Sequence, residues 1–129
     1  MGKRKRITSY KIKNIKKNIN YSLLRNIKIS YRKIRSVTNL IKGTNVNYAL
    51  NILDNYISIK STNILKNLIL SAVSNYINKN GFIEKNKLYI NNIIVNSSGM
   101  RKRFKYAPQG RCHIIRKRLS YIKLYIKKK

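Results

Sequence analysis

Leu88-Tyr89-Ile90-Asn91-Asn92-Ile93-Ile94-Val95 and Ser120-Tyr121-Ile122-Lys123-Leu124-Tyr125-Ile126 decide the architecture. In the first stretch Leu88 and Ile90 alternate with polar or amphipathic neighbours, then Ile93 and Val95 alternate in the opposite phase. A period of two turns one face of a strand toward a core. One extra residue around Asn91-Asn92 restores the phase, which predicts a β-bulge. In the second stretch Ile122, Leu124 and Ile126 occupy the matching inward positions. Between the two, Ser97 to Arg111 has no acid and too little apolar surface for a core. Two alternating strands that bracket such a segment make a long hairpin, its distal part at about residues 96–114 projecting from the body.

Upstream the period lengthens to that of helices. Ile34, Val37 and Ile41 form one stripe, with Ser30 placed to cap it through its hydroxyl and Gly43 to stop it in a left-handed conformation. Val46, Ala49, Leu50 and Leu53 fall at i, i+3, i+4 and i+7 of a second helix. A third helix begins near Ser58 or Ser61. It presents Ile64, Leu65, Leu68, Ala72, Val73 and Tyr76 inward and ends at Asn80-Gly81. Arg25 to Ile29 reads as a short strand with Ile27 and Ile29 on one face. Residues 1–20 read as a basic extension that orders only against a binding partner, and 21–129 as one domain.

Charge narrows the function. Lys and Arg total 31 and Asp and Glu total 2, a formal net charge of +29. Such imbalance penalises a compact chain through self-repulsion, so an anionic partner must neutralise it. A phosphate backbone fits, because Lys and Arg displace its condensed counterions. No apolar run approaches the ~20 residues of a membrane span, and no apolar signal region follows Met1. Ile, Asn, Lys and Tyr fill 71 of 129 positions, all with AT-rich codons, as in the genomes of reduced organelles and symbionts.

Catalysis has little to work with. The carboxylates are Asp54 and Glu84, at opposite ends of the third helix. Cys112 and His113 are neighbours on a strand and so point to opposite faces. With one Cys no internal disulfide or cysteine zinc cluster forms. The five glycines fit neither phosphate-loop nor dinucleotide spacing. No enzyme, metal or cofactor is expected. The strongest basic clusters are Arg101-Lys102-Arg103 and Arg116-Lys117-Arg118, with Phe104, Tyr106 and Tyr121 beside them. Aromatics in such a setting stack on unpaired bases or pack across the hairpin.

From about Leu24 onward the order of motifs resembles the universal ribosomal large-subunit protein 22 family. The pieces are Ile29-Ser30-x-x-Lys33-x-Arg35, Leu40-Ile41-x-Gly43-x-x-Val46-x-x-Ala49-Leu50-x-Ile52-Leu53, and Ser71-Ala72-x-x-Asn75. Then come Lys102-Arg103-Phe104-Lys105, Gly110-Arg111, and Arg118-x-Ser120-x-Ile122. The run from Lys102 to Lys105 looks most like plastid members, and the first twenty residues lie outside the match.

The resemblance implies an α+β fold, three helices on a small antiparallel three-stranded sheet, with a long protruding β-hairpin. It implies binding to large-subunit rRNA through Arg32, Lys33, Arg35, Arg101, Lys102, Arg103, Lys105, Arg111, Arg116, Lys117 and Arg118. It also implies a nascent-chain tunnel lined by Tyr106, Ala107, Pro108, Gln109 and Gly110, where family tips usually read Pro-Arg-Ala-x-Gly-Arg. Expected partners are rRNA, neighbouring ribosomal proteins and the nascent polypeptide, with no membrane insertion and no homo-oligomer. The expected place is an organelle ribosome, plastid-type and organelle-encoded, with a mitochondrion or a bacterial cytoplasm as alternatives. The rival reading is a nucleoid-type or RNA-chaperoning protein, which gives no reason for an acid-free hairpin between two apolar strands.

Overall fold

A computed structural model describes residues 19–128. Most of the expected basic extension, residues 1–18, lies outside the described residues. The chain runs β1 (Asn20–Ile27), α1 (Tyr31–Ile41), α2 (Val46–Asp54), α3 (Ile59–Asn80), a 3-10 turn (Lys85–Lys87), β2 (Leu88–Tyr106) and β3 (Cys112–Lys128). The sheet is antiparallel in the order β1-β3-β2. Helix residues Ile34, Val37, Leu53, Leu65, Ile69 and Ala72 and sheet residues Ile90, Ile122 and Leu124 share one buried cluster. This is the expected α+β fold.

Each helix buries the stripe its spacing dictates, with local departures. Leu50 is only half-buried, while Val46, Ala49 and Leu53 are fully covered. Ser30 stands at the N-cap of α1 but makes no side-chain cap; its backbone carbonyl accepts from Lys33 and Ile34. At α2 the cap is Asn45, whose side chain accepts the Asn47 N–H at 2.9 Å. Gly43 is left-handed. Its N–H donates to the Ile90 carbonyl at 2.8 Å, and the Ile90 N–H donates to Thr44 at 3.0 Å. The α1–α2 loop thereby covers part of the free edge of β2, which would otherwise offer unpaired donors and acceptors.

The first strand is Asn20–Ile27 rather than Arg25–Ile29. Its inward positions near the start are Asn20 and Ser22, both buried, so no apolar alternation marks it. Ser22 is satisfied there, donating to the Leu68 carbonyl at 2.9 Å.

Register shifts explain how sheet becomes hairpin. The expected bulge lies between Ile90 and Asn92. A second lies between Ser97 and Gly99, and a third on β1 between Leu24 and Ile27. The last two meet the same residue of the central strand: Ser97 and Ile27 both pair with Ser120. Gly99 takes φ +139 and Asn26 φ +56, and the Ser98 hydroxyl donates to Asn26 Oδ1 at 2.7 Å. Bulges bend and twist the strand that carries them. Beyond this level every residue of β2 is exposed, and the return arm stays exposed until Leu119. The eight pairs from Gly99↔Leu119 to Tyr106↔Cys112 therefore project, a reach of roughly 25 Å.

Leu53→Asp places a carboxylate inside the apolar cluster at a site with 1% exposure. It should destabilise the body by roughly 3–5 kcal/mol. Leu50→Asp should cost visibly less, because that side chain reaches solvent. Circular-dichroism melting of the two variants checks the order.

Candidate nucleic-acid interface

Where the hairpin leaves the sheet, it stands beside the N-terminal ends of α1 and α3. The groove between them, about 1060 Å³, is lined by Lys28, Lys33, Lys60, Arg101, Arg103, Arg116, Lys117 and Arg118. No carboxylate lines it. Ser30 and Ser58, the N-cap residues of α1 and α3, border it too. Neither cap hydroxyl accepts from a first-turn N–H, that of Ser58 pairing instead with the Ser61 hydroxyl at 2.5 Å, and neither first turn holds an acid. Helix N-termini carry partial positive charge on unpaired N–H groups, so both dipoles add to the field of the eight cations. The chemistry this selects is an anion of extended shape, such as a phosphate backbone.

The two acids do not weaken that field at the groove. Asp54 forms an ion pair with Lys66, and Glu84 pairs with Lys87 at 3.3 Å. Among the described residues no group of His, Cys, Asp and Glu is placed to hold a metal. Cys112 and His113 are both exposed on adjacent rungs of the hairpin. No helix among the described residues is long and apolar enough to cross a membrane.

The structure brings together some of the expected binding residues and separates others. Lys33, Arg101, Arg103, Arg116, Lys117 and Arg118 share the groove. Arg35 is partly committed elsewhere: its Nη2 donates to the Val95 carbonyl at 3.0 Å, and its guanidinium lies 5.4 Å from the Tyr31 ring centroid. Arg32 bonds the Tyr31 hydroxyl, and that bond, followed by the charges of Arg32, Arg118 and Arg35, holds the phenol below its usual pKa. Lys105 and Arg111 lie out toward the tip. Lys28 and Lys60 were not anticipated. Their signal was position: each lies two residues from a helix N-cap serine in a chain almost without acids.

Pairing also sorts the hairpin into two faces, since residues directly opposite project to the same side. Met100, Lys102, Phe104 and Tyr106 share one face with Arg118, Arg116, Ile114 and Cys112. Arg101, Arg103 and Lys105 share the other with Lys117, Ile115 and His113. Phe104 is 72% exposed and Tyr106 92%, so neither is absorbed by cross-strand packing. At the tip Arg111 N–H donates to the Pro108 carbonyl at 3.4 Å, and Ala107 N–H to Arg111 at 2.9 Å. Gln109 and Gly110 are both left-handed, at φ +61 and +70, as a type I′ hairpin turn requires. Tyr106, Pro108, Gln109 and Gly110 are exposed and Ala107 half-buried.

A profile of the ribosomal protein L22p/L17e family matches residues 22–127. The chain belongs to that family. It is 40% identical to the large ribosomal subunit protein uL22 of Flavobacterium johnsoniae, over 98% of this chain and 93% of that protein. Identity is 38% to the uL22 of Christiangramia forsetii, over 98% and 94%. With the uL22 of Bacteroides fragilis it is 35%, over 100% and 95%. The family profile begins at residue 22, so the first twenty residues lie outside it as expected, while the pairwise alignments with these relatives extend over most of them. L22 membership marks a structural protein of the large ribosomal subunit, the subunit these relatives' names specify, and not an enzyme.

Arg35 offers a check on which cations are tied into the body. Arg35→Leu should lower L22-fold stability by about 1 kcal/mol through loss of the Val95 hydrogen bond. Arg32→Leu should shift the melting curve much less, because its bond to Tyr31 is solvent-exposed.

Proposed function

We propose that the chain binds large-subunit rRNA through the groove, supports assembly of that subunit, and sends its hairpin tip to the wall of the nascent-chain tunnel. The observation that carries this reading is the acid-free groove, where eight cations and two helix N-termini converge at the foot of the hairpin. Lys33, Arg101, Arg103, Arg116, Lys117 and Arg118 contact phosphates there, joined by Lys28 and Lys60. Arg32 and the free part of the Arg35 guanidinium extend the contact along α1. Lys102, Lys105 and Arg111 hold RNA farther out along the arm. Tyr106, Ala107, Pro108, Gln109 and Gly110 form the tunnel-facing tip. A ribbon of two strands is marginal alone in water, so rRNA on both faces is what fixes it. Neighbouring ribosomal proteins and the nascent polypeptide are the remaining partners, and the chain acts as a single copy.

The relatives named above are bacterial, which favours a bacterial ribosome in an AT-rich organism over the organellar one that the Lys102–Lys105 run suggested. The plastid resemblance finds no support among them.

Affinity for an rRNA fragment should fall steeply with salt, by a slope of about −0.7 to −0.9 in log units per phosphate contacted. Lys60→Gln should flatten the slope by about one contact. A slope near zero in the unmodified protein would overturn the electrostatic reading.

Removing Phe104-Lys105 together with their partners His113-Ile114 takes out two rungs and leaves every groove cation in place. An even number of residues keeps each face as it was, and the tip retracts by about 7 Å. The shortened protein should still enter large subunits, while chemical footprinting should show altered tunnel-wall rRNA near the tip. Loss of incorporation, or an unchanged footprint, contradicts the division between anchor and probe.

A further inference from the structure

The side of the sheet turned away from the helices carries its own pattern. Tyr21, Tyr125 and Asn92 pair in one row, and Leu23, Lys123 and Ile94 in the next. Tyr121 pairs with Asn96 in the row beyond. The alternate residues Ser22, Leu124 and Ile93 are buried against the helices, so these rows face outward. Tyr21 is 44% exposed, and Leu23, Ile94, Tyr121, Lys123 and Tyr125 are half-buried. The Lys123 ammonium lies 4.5 Å from the Tyr21 ring centroid and 5.1 Å from that of Tyr125. The two rings are 6.2 Å apart and tilted by 51°. Neither of the two carboxylates in the chain belongs to a strand.

We propose that this face is a second RNA contact, on which unpaired bases stack against Tyr21 and Tyr125 while Lys123 turns to a phosphate between them. The proposal rests on the rRNA-binding reading above. Its occupant follows from the centre of the patch. The cores of protein–protein interfaces are depleted of charge, yet here a lysine stands in the middle with no acid to meet it. Hydrogen bonding to Tyr125 favours its charged form, raising its pKa. A nucleotide brings an aromatic ring and an anion together, and so satisfies both kinds of group at once. Stacking of a base on an exposed ring contributes more than an exposed cation–π contact, so bases displace the ammonium from the rings. The tilt keeps one base from lying flat on both tyrosines, so each ring takes its own.

The test uses the full chain, whose fluorescence comes from tyrosine because it has no Trp. The probes are a short single-stranded oligoribonucleotide and an abasic oligomer of equal length and charge. The base-containing probe should quench tyrosine fluorescence and bind about a hundredfold tighter than the abasic one, roughly tenfold for each stacked base. Tyr21→Leu and Tyr125→Leu should each weaken its binding about tenfold without changing the salt slope, while Lys123→Gln flattens the slope. Lys33→Gln, in the groove, should flatten the slope and leave the quenching intact. If the two probes bind alike, or the tyrosine variants bind as the parent does while Lys33→Gln weakens binding, the platform is refuted and the groove reading stands. If no probe or rRNA fragment binds with a salt dependence, both readings fail. Tyrosine variants that bind RNA normally but lose a neighbouring ribosomal protein from assembled subunits would assign the face to protein and overturn the proposal.

Discussion

One antiparallel ladder, β2 against β3, runs from Leu88↔Lys128 to Tyr106↔Cys112. Its lower half is roofed by the helices and joined by β1 on the other side of β3. Its upper half has neither roof nor third strand. Everything else follows from that shared pair of strands. The buried half contributes Ile90, Ile93, Val95, Ile122, Leu124 and Ile126 to the core, and burial of that apolar surface favours folding without regard to partners. The exposed half contributes almost no buried area, and its order depends on what surrounds it. Because the strands are continuous, any tilt of the body is transmitted to the tip over roughly 25 Å.

The change from one regime to the other happens at Ser120. It is fully buried, its hydroxyl has no hydrogen-bond partner among the described residues, and both flanking strands bulge beside it. A buried donor without a partner is costly, and the cost sits at the one level where sheet, bulges and hairpin meet. Ser98 and Asn26, which belong to the two bulges, bond to one another from the flanking strands. That contact ties the outer strands at the point where the hairpin departs, so the exit angle of the arm is set by local backbone geometry.

Much of this was legible in the sequence because apolar period reports burial directly. Ile34, Val37 and Ile41, or Ile122, Leu124 and Ile126, could be assigned without knowing what covers them. The phase reversal at Asn91-Asn92 likewise exposed a bulge, since both halves of the strand are apolar on one side. The bulges at Asn26 and Ser98 left no such trace. Around Ser98 the strand is exposed, so an insertion moves no apolar residue out of phase; before Asn26 the buried positions are Asn20 and Ser22, too polar to set an apolar phase that Ile27 could break. The start of β1 was hidden for the same reason, by Asn20 and Ser22. The groove was half legible: composition identified its cations, but only the fold shows that Lys28 and Lys60 stand with Arg101 and Arg103 rather than on separate surfaces.

Electrostatics then explains why such a chain is built around an arm. A compact body with +29 charges repels itself, and the repulsion falls as charges are spread apart. The hairpin removes Arg101, Lys102, Arg103, Lys105, Arg111, Arg116, Lys117 and Arg118 from the packed core and holds them on an extended ribbon. Screening over about 8–10 Å at ordinary salt then uncouples the tip charges from most of the body. The cations nearest the body remain close enough to add their fields at the groove. Self-repulsion is therefore least in the free protein where the arm is longest, and the positive field is greatest where the arm meets the two helix N-termini. A shorter arm would concentrate the same charge on the core. The length of the hairpin thus serves the stability of the unbound chain as well as its reach.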